Sequence, residues 1–178
     1  MKFSHIKCTD EGILLDDYFA YLSSVKERFT PELYAFAANQ KHYNLTSHSS
    51  LHDSWLNFLN FQERATGERN ETRDLAIDLQ LLGAFHDRNI NLKYKGVQSV
   101  SFDIPREFQN LPKYQVANGD LLMHEISINQ YEEFEHKILF SRGSFLQISC
   151  FSIQHFESAI ACPDKDKSDT DWLYFCSE

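Results

Sequence analysis

Residues 74–82 constrain the fold most. Leu75, Ile77, Leu79 and Leu81 alternate there with Ala76, Asp78 and Gln80. A period of two puts the leucines and isoleucine on one face of a pleated chain, which is a half-buried β-strand. The pattern returns at 89–94, with Ile90, Leu92 and Tyr94 set against Asn89, Asn91 and Lys93. It returns again at 97–104, where Gln98, Val100, Phe102 and Ile104 share a parity, and at 120–128, where Leu122, His124, Ile126 and Ile128 do. Residues 136–140 and 145–153 flank Ser141-Arg142-Gly143-Ser144, a hairpin turn. In 54–62 (SWLNFLNFQ), Leu56 and Phe58 share one parity and Trp55, Leu59 and Phe61 the other, as in a strand with a bulge. The gaps between these runs are too short for crossover helices, so neighbouring strands are expected to be antiparallel. Alternation of this kind predicts one packed face and one wet face.

The chain before the strands reads as helical. From residue 13 to 29, Leu15, Phe19, Leu22 and Val25 recur at spacings of three and four, and Lys26 and Arg28 occupy the last turn, where cations suit the helix dipole. A second helix starts with Thr30 as N-cap, Pro31 at the first helical position and Glu32 beside it. Leu33, Tyr34, Phe36 and Ala37 carry it to about Lys41. Two short helices are the natural cover for the apolar face of the sheet. Lys95-Gly96 reads as a break between strands, and residues 63–72 and 106–119 read as loops. The tail, residues 163–171 (PDKDKSDTD), is charged, and 172–175 (WLYF) is apolar enough to dock back. The expected architecture is one α+β domain over 1–178. Its helical part is 1–42. Its antiparallel part, 52–153, holds six to seven strands as a meander or half-open barrel. A charged tail with a docking apolar end fills 163–178.

At 178 residues the chain can bury a substantial core. Seventeen Lys and Arg against 26 Asp and Glu give a formal net charge of −9. That sign disfavours nucleic-acid backbones and anionic membrane surfaces, and it attracts a basic protein partner. The same charge also serves solubility alone. Cys8, Cys150, Cys162 and Cys176 form no close pair, and the opening Met1-Lys2-Phe3-Ser4-His5 has no apolar signal region. No apolar run approaches the roughly 18 residues of a membrane span. A cytoplasmic location with reduced thiols is therefore expected.

Motifs for chemistry are sparse. There is no GxSxG elbow, no HExxH helix, no GxGxxG and no P-loop, so neither a serine nucleophile nor a cofactor cradle is implied. Asp164, Asp166, Ser168 and Asp171 lack the glycine and glutamate of a calcium loop. Two His-Asp dipeptides stand out. His52-Asp53 opens the first strand, and His86-Asp87-Arg88 lies in the turn before the third. Imidazole and carboxylate both ligate metals, so a small metal-dependent hydrolase would use His52, Asp53, His86 and Asp87, with Arg88 beside them, if the two strand ends converge. The same dipeptides suit turns, where Asp accepts local hydrogen bonds and His covers a strand end. His124 and Glu125 are adjacent in a strand and point to opposite faces, and His136 reads as a half-exposed strand residue. His5, His42, His48 and His155 are scattered.

The order of short motifs carries a resemblance. Leu51-His52-Asp53-Ser54-Trp55 is followed by Ile77-Asp78-Leu79-Gln80-Leu81, then Leu92-Lys93-Tyr94-Lys95-Gly96-Val97, then Gly119-Asp120-Leu121-Leu122 before the closing hairpin. Over 51–153 the chain resembles small bacterial proteins of uncharacterised families, many of them similar to immunity proteins of polymorphic or contact-dependent toxin systems. The resemblance implies a cytoplasmic, acidic, non-enzymatic binder and assigns no functional residue. The expected activity is therefore binding, most sharply by an inhibitor whose acidic face occludes a basic toxin surface. The loop 63–72 and the tail 164–171 are candidate faces. The alternatives are the metal-dependent hydrolase and a module with no catalytic activity.

Overall fold

The structure is a computed structural model that describes residues 3–9, 12–105 and 118–160. It opens with a small hairpin, β1 (Lys7–Thr9) and β2 (Gly12–Leu14). Helices α1 (Asp16–Ser24) and α2 (Pro31–Ala37) follow, each trailed by a 3-10 turn, Lys26–Arg28 and Gln40–Tyr43. Six strands then build the main sheet: β3 (Trp55–Thr66), β4 (Thr72–Leu82), β5 (Arg88–Asp103), β6 (Leu121–Ile128), β7 (Phe134–Phe140) and β8 (Phe145–Ala159). Their order is β3-β4-β5-β8-β7-β6, and every neighbouring pair is antiparallel. The sheet is open except at one corner. There its two edges meet, with Trp55 opposite Asp120 and Leu121 exchanging backbone hydrogen bonds with Asp53 and Ser54 at 2.9 and 2.8 Å.

The alternation in β4 works as expected, since Ile77, Leu79 and Leu81 are fully buried. They join Ile90, Leu92, Ile126, Ile138 and Ile148 in one apolar core, onto which the helices lower Tyr18, Leu22, Leu33 and Phe36. Thr30 caps α2 as its sequence suggests, its hydroxyl accepting from the Leu33 amide at 3.2 Å.

Several expectations need correction. The helix expected over 13–29 is only nine residues long, because Gly12–Leu14 pairs with Lys7–Thr9 as a strand and Val25 leaves helical geometry. Asp16 and Asp17 form its first turn, where carboxylates suit the dipole. The second helix ends at Ala37 rather than near Lys41, and a 3-10 turn takes over. Lys95-Gly96 is not a break between strands but a bend inside β5. Gly96 adopts φ +61°, and the register with β8 shifts between Val97 and Ser99. A Cβ at Gly96 would stand 2.7 Å from the Phe151 ring, so only glycine lets the two strands approach there. The loop expected over 63–72 shrinks to a turn at 67–71, because β3 runs on to Thr66. The bulge foreseen in β3 lies between Leu56 and Phe58. Most of the loop 106–119 and all of the tail 163–178 lie outside the described residues.

The expectation of a single wet face fails on the β6–β7 side, where both parities are largely buried. The N-terminal segment causes this. The amides of Ser4, His5 and Ile6 donate to the Glu125 carboxylate at 2.9, 2.8 and 2.9 Å, and Phe3 packs on Phe145. The free edge of β6 is also satisfied. The Tyr18 hydroxyl accepts from the Ile126 amide and donates to the Ile126 carbonyl, and the Tyr21 hydroxyl accepts from the Ile128 amide.

Candidate functional site

The two His-Asp pairs turn out to be corner residues. Asp53 has φ +65° and His86 has φ +55°, left-handed geometry that Asp and His tolerate in turns. His52 Nδ1 lies 2.8 Å from Asp53 Oδ1, outside hydrogen-bonding geometry. Asp87 faces the Arg88 guanidinium and His48 Nδ1, and Arg88 reaches on to Glu157 at 2.8 Å. The Arg88 hydrogen bonds, with a smaller contribution from His48, hold the Asp87 carboxyl below its ordinary range. Trp55 packs edge-on against the His86 ring at 4.7 Å, so the two corners are neighbours across one aromatic side chain. The Asp87 carboxylate is nevertheless taken up by Arg88 and His48. Among the described residues, no group of three or more His, Cys, Asp or Glu side chains is placed to hold a metal ion.

The histidines that do assemble are ones that sequence reasoning set aside. His42, His124 and His136 are buried, and His136, expected to be half-exposed, is 1% exposed. His155 completes the group. Phe36 lies among them, stacked on His155 at 4.2 Å and tilted against His42 and His124 at 4.8 and 5.7 Å. His136 Nδ1 meets the Tyr94 hydroxyl at 2.7 Å, and His136 Nε2 meets His124 Nδ1 at 3.3 Å. Burial favours the neutral imidazoles. It lowers His42 to about 4 and His136 to about 3, and it drives His124 well below its ordinary value, with the neighbouring histidines adding to the effect. His155 is lowered for the same reason, partly offset by Glu157. The signal for His124 was visible, since it shares its parity with Leu122, Ile126 and Ile128. His42 and His155 had no comparable signal.

Two concavities adjoin these features. The first is a cavity of about 240 Å³ lined by Ile13, Leu15, Tyr43, Leu45, Leu121, Leu122 and Met123, together with His42, His52 and His124. The second is a broader groove of about 720 Å³ along the β6–β7 turn, lined largely by Ser, Asn and Gln side chains with Glu133, Glu135 and Tyr131. Tyr131 is 70% exposed. Glu135 is paired with the buried Lys137 at 2.6 Å. Glu133 accepts from the Asn129 amide and has no ion-pair partner among the described residues, and no Lys or Arg lines the groove.

Fold and sites together define an α+β domain of two helices on a six-stranded antiparallel sheet, with a histidine-rich core and a polar groove. Comparison with known proteins finds no matching family model, no similar curated protein and no similar solved structure. No helix among the described residues is long and apolar enough to cross a membrane.

Proposed function

We propose that this chain is a protein-binding domain, most sharply an immunity-type inhibitor that seats a basic segment of a toxin in the β6–β7 groove and blocks the toxin's access to its substrate. The groove is the observation that carries this reading. It is concave, has carboxylates but no Lys or Arg in its lining, and stands on a chain of net charge −9. Tyr131, projecting at the rim, has the amphipathic, low-entropy character of an interface anchor. The amide and hydroxyl lining suits hydrogen bonds to a peptide backbone, and the net charge speeds encounter with a cation-rich surface. The resemblance of residues 51–153 to small bacterial proteins of uncharacterised families, many of them similar to immunity proteins, supports the same reading. Against the metal-dependent alternative, no group of three or more His, Cys, Asp or Glu side chains among the described residues is arranged to hold a metal ion at either His-Asp pair.

The test is co-purification of the tagged chain from its native cells, followed by titration of the captured protein. The expected result is a stoichiometric basic partner whose association slows as salt rises. Tyr131→Ala with Glu133→Lys should weaken binding at least tenfold and leave the melting temperature unchanged. Recovery of no stoichiometric partner, or binding indifferent to both substitutions, would overturn the proposal.

A further inference from the structure

The polar side chains of the β6–β7 groove divide their hydrogen-bonding groups unevenly. Gln98 donates its amide to the Gly96 carbonyl at 3.2 Å, and Gln147 donates to Glu135 at 3.0 Å. A carboxamide that turns its nitrogen to the chain leaves its oxygen as the group it offers to a ligand. Asn129 is spent at both ends. Its nitrogen donates to Glu133 at 2.8 Å, and its oxygen accepts from the amides of Tyr131 and Glu133 at 2.9 and 3.1 Å. Of the two carboxylates in the groove, Glu135 is taken up by Lys137, and Glu133 has no ion-pair partner among the described residues. The groove therefore offers acceptors and one uncompensated negative charge.

Aromatic residues are placed beside that charge. Phe134 pairs with Cys150, so one further step along the β7–β8 ladder sets Glu133 opposite Phe151. Phe151 shares its parity with Ser149, a residue of the groove lining. Tyr131 lies two residues before Glu133 in the turn that Asn129 ties together. At 70% and 61%, Tyr131 and Phe151 are the two most exposed aromatic side chains among the described residues. Cations of the neighbouring elements are engaged or set apart. Arg28 pairs with Glu132, Lys137 pairs with Glu135, and Lys95 stands opposite Ser152 on the β5 side of β8, away from Glu133.

We infer that the basic segment seated in this groove, a partner that rests on the function proposed above, is recognised through one arginine, whose guanidinium pairs with Glu133 and lies against the rings of Tyr131 and Phe151. The N–H groups flanking that arginine meet the carbonyl oxygens of Gln98 and Gln147. Guanidinium suits the site better than an ammonium group. It is planar, stacks on aromatic faces, is weakly hydrated and carries only donors, whereas an ammonium is a compact and strongly hydrated point charge. A neutral side chain would leave the Glu133 charge uncompensated, and an anionic one would be repelled by it.

Three end-blocked peptides of sequence Gly-Ser-Gly-Xaa-Gly-Ser-Gly separate the parts of this inference, with arginine, lysine or citrulline (the uncharged isostere of arginine) at Xaa. Each is titrated into the ¹⁵N-labelled full chain, and binding is read from the backbone amides of Tyr131, Glu133 and Phe151. The arginine peptide should saturate and shift all three amides together. The lysine peptide should bind about threefold more weakly, the worth of one exposed cation–π contact, and the citrulline peptide should not saturate. Glu133→Gln keeps an oxygen for the Asn129 amide and should erase the advantage of arginine over citrulline. Phe151→Thr replaces an exposed ring and should erase the advantage of arginine over lysine. The inference is overturned by an arginine peptide that does not saturate, by saturation that leaves Glu133 unmoved, by equal binding of lysine or citrulline, or by indifference to Glu133→Gln. A basic partner recovered by co-purification, without arginine binding at the groove, would overturn this inference and keep the inhibitor reading. Arginine binding with no partner recovered would overturn the inhibitor reading and keep the site.

Discussion

The two edges of the main sheet meet water in opposite ways. At β6 the edge is closed. Tyr18 and Tyr21 of α1 occupy the backbone groups of Ile126 and Ile128, the N-terminal segment hangs on Glu125, and the strand is buried on both faces. At β3 the edge is left open beyond the Trp55–Asp120 corner. No described strand pairs with its outer side, and Phe58 and Phe61 are 44% and 50% exposed. An exposed strand edge invites pairing with other chains, and burial removes that risk where hydrogen-bonding groups can be found to replace water. The difference is one of supply. Helix α1 brings hydroxyls to β6, and no described element brings anything comparable to β3. Stability should therefore concentrate on the β6 side, and four experiments can break or sharpen that contrast.

Acid should produce the largest effect. Unfolded imidazoles protonate near 6.5, but in the folded chain His42 waits until about 4 and His136 until about 3. Between those values the unfolded chain binds more protons, so stability is full above about pH 6.5 and is lost as the pH falls toward the folded values. At pH 5 these two residues alone should cost about 4 kcal/mol, from about 1.4 kcal/mol per unit each. His124 and His155 add to this in the same direction. Urea midpoints measured from pH 7.5 to 5 check it, and a flat profile would mean that the core histidines are not buried as described.

Glu125→Ala should come next, at about 3 kcal/mol, since it strands three N–H donors of the N-terminal segment. Glu125→Gln should lose less, because its amide keeps one acceptor oxygen. Hydrogen exchange at Ser4, His5 and Ile6 should quicken in both variants, and unchanged protection would detach the segment from Glu125.

Tyr18→Phe keeps the ring and removes the hydroxyl that serves both backbone groups of Ile126. A loss of about 1–3 kcal/mol in denaturant unfolding is expected. On the other edge, Phe61→Lys should change stability by less than about 0.5 kcal/mol, as surface substitutions do. It should also reduce self-association in sedimentation at high concentration, since a lysine blunts an open edge. A large loss of stability from Phe61→Lys would show that the β3 edge is covered after all.

The strands were legible because alternation is a local property. Leu75, Ile77, Leu79 and Leu81 declare their shared face whatever else the chain does, and the Thr30-Pro31 start of α2 is equally local. The candidate site was legible only in fragments. The His-Asp dipeptides drew attention by adjacency, yet adjacent residues in a turn find partners within that turn, as Asp87 does with Arg88. His124 carried an inward parity that was visible, but nothing local said that its neighbours would be His42, His136, His155 and Phe36.

The sequence by itself determined the class of fold, the antiparallel pairing and the acidity of the chain, because each follows from spacing, gap length or composition. Only the tertiary structure decided which edge is closed, why β6 is buried on both faces, and where the histidines meet. Those outcomes depend on contacts such as Ile6 with Glu125 or Tyr18 with Ile126, across more than a hundred residues. A periodic pattern records which way a side chain faces relative to its own strand. It holds no information about what another part of the chain will lay against that face.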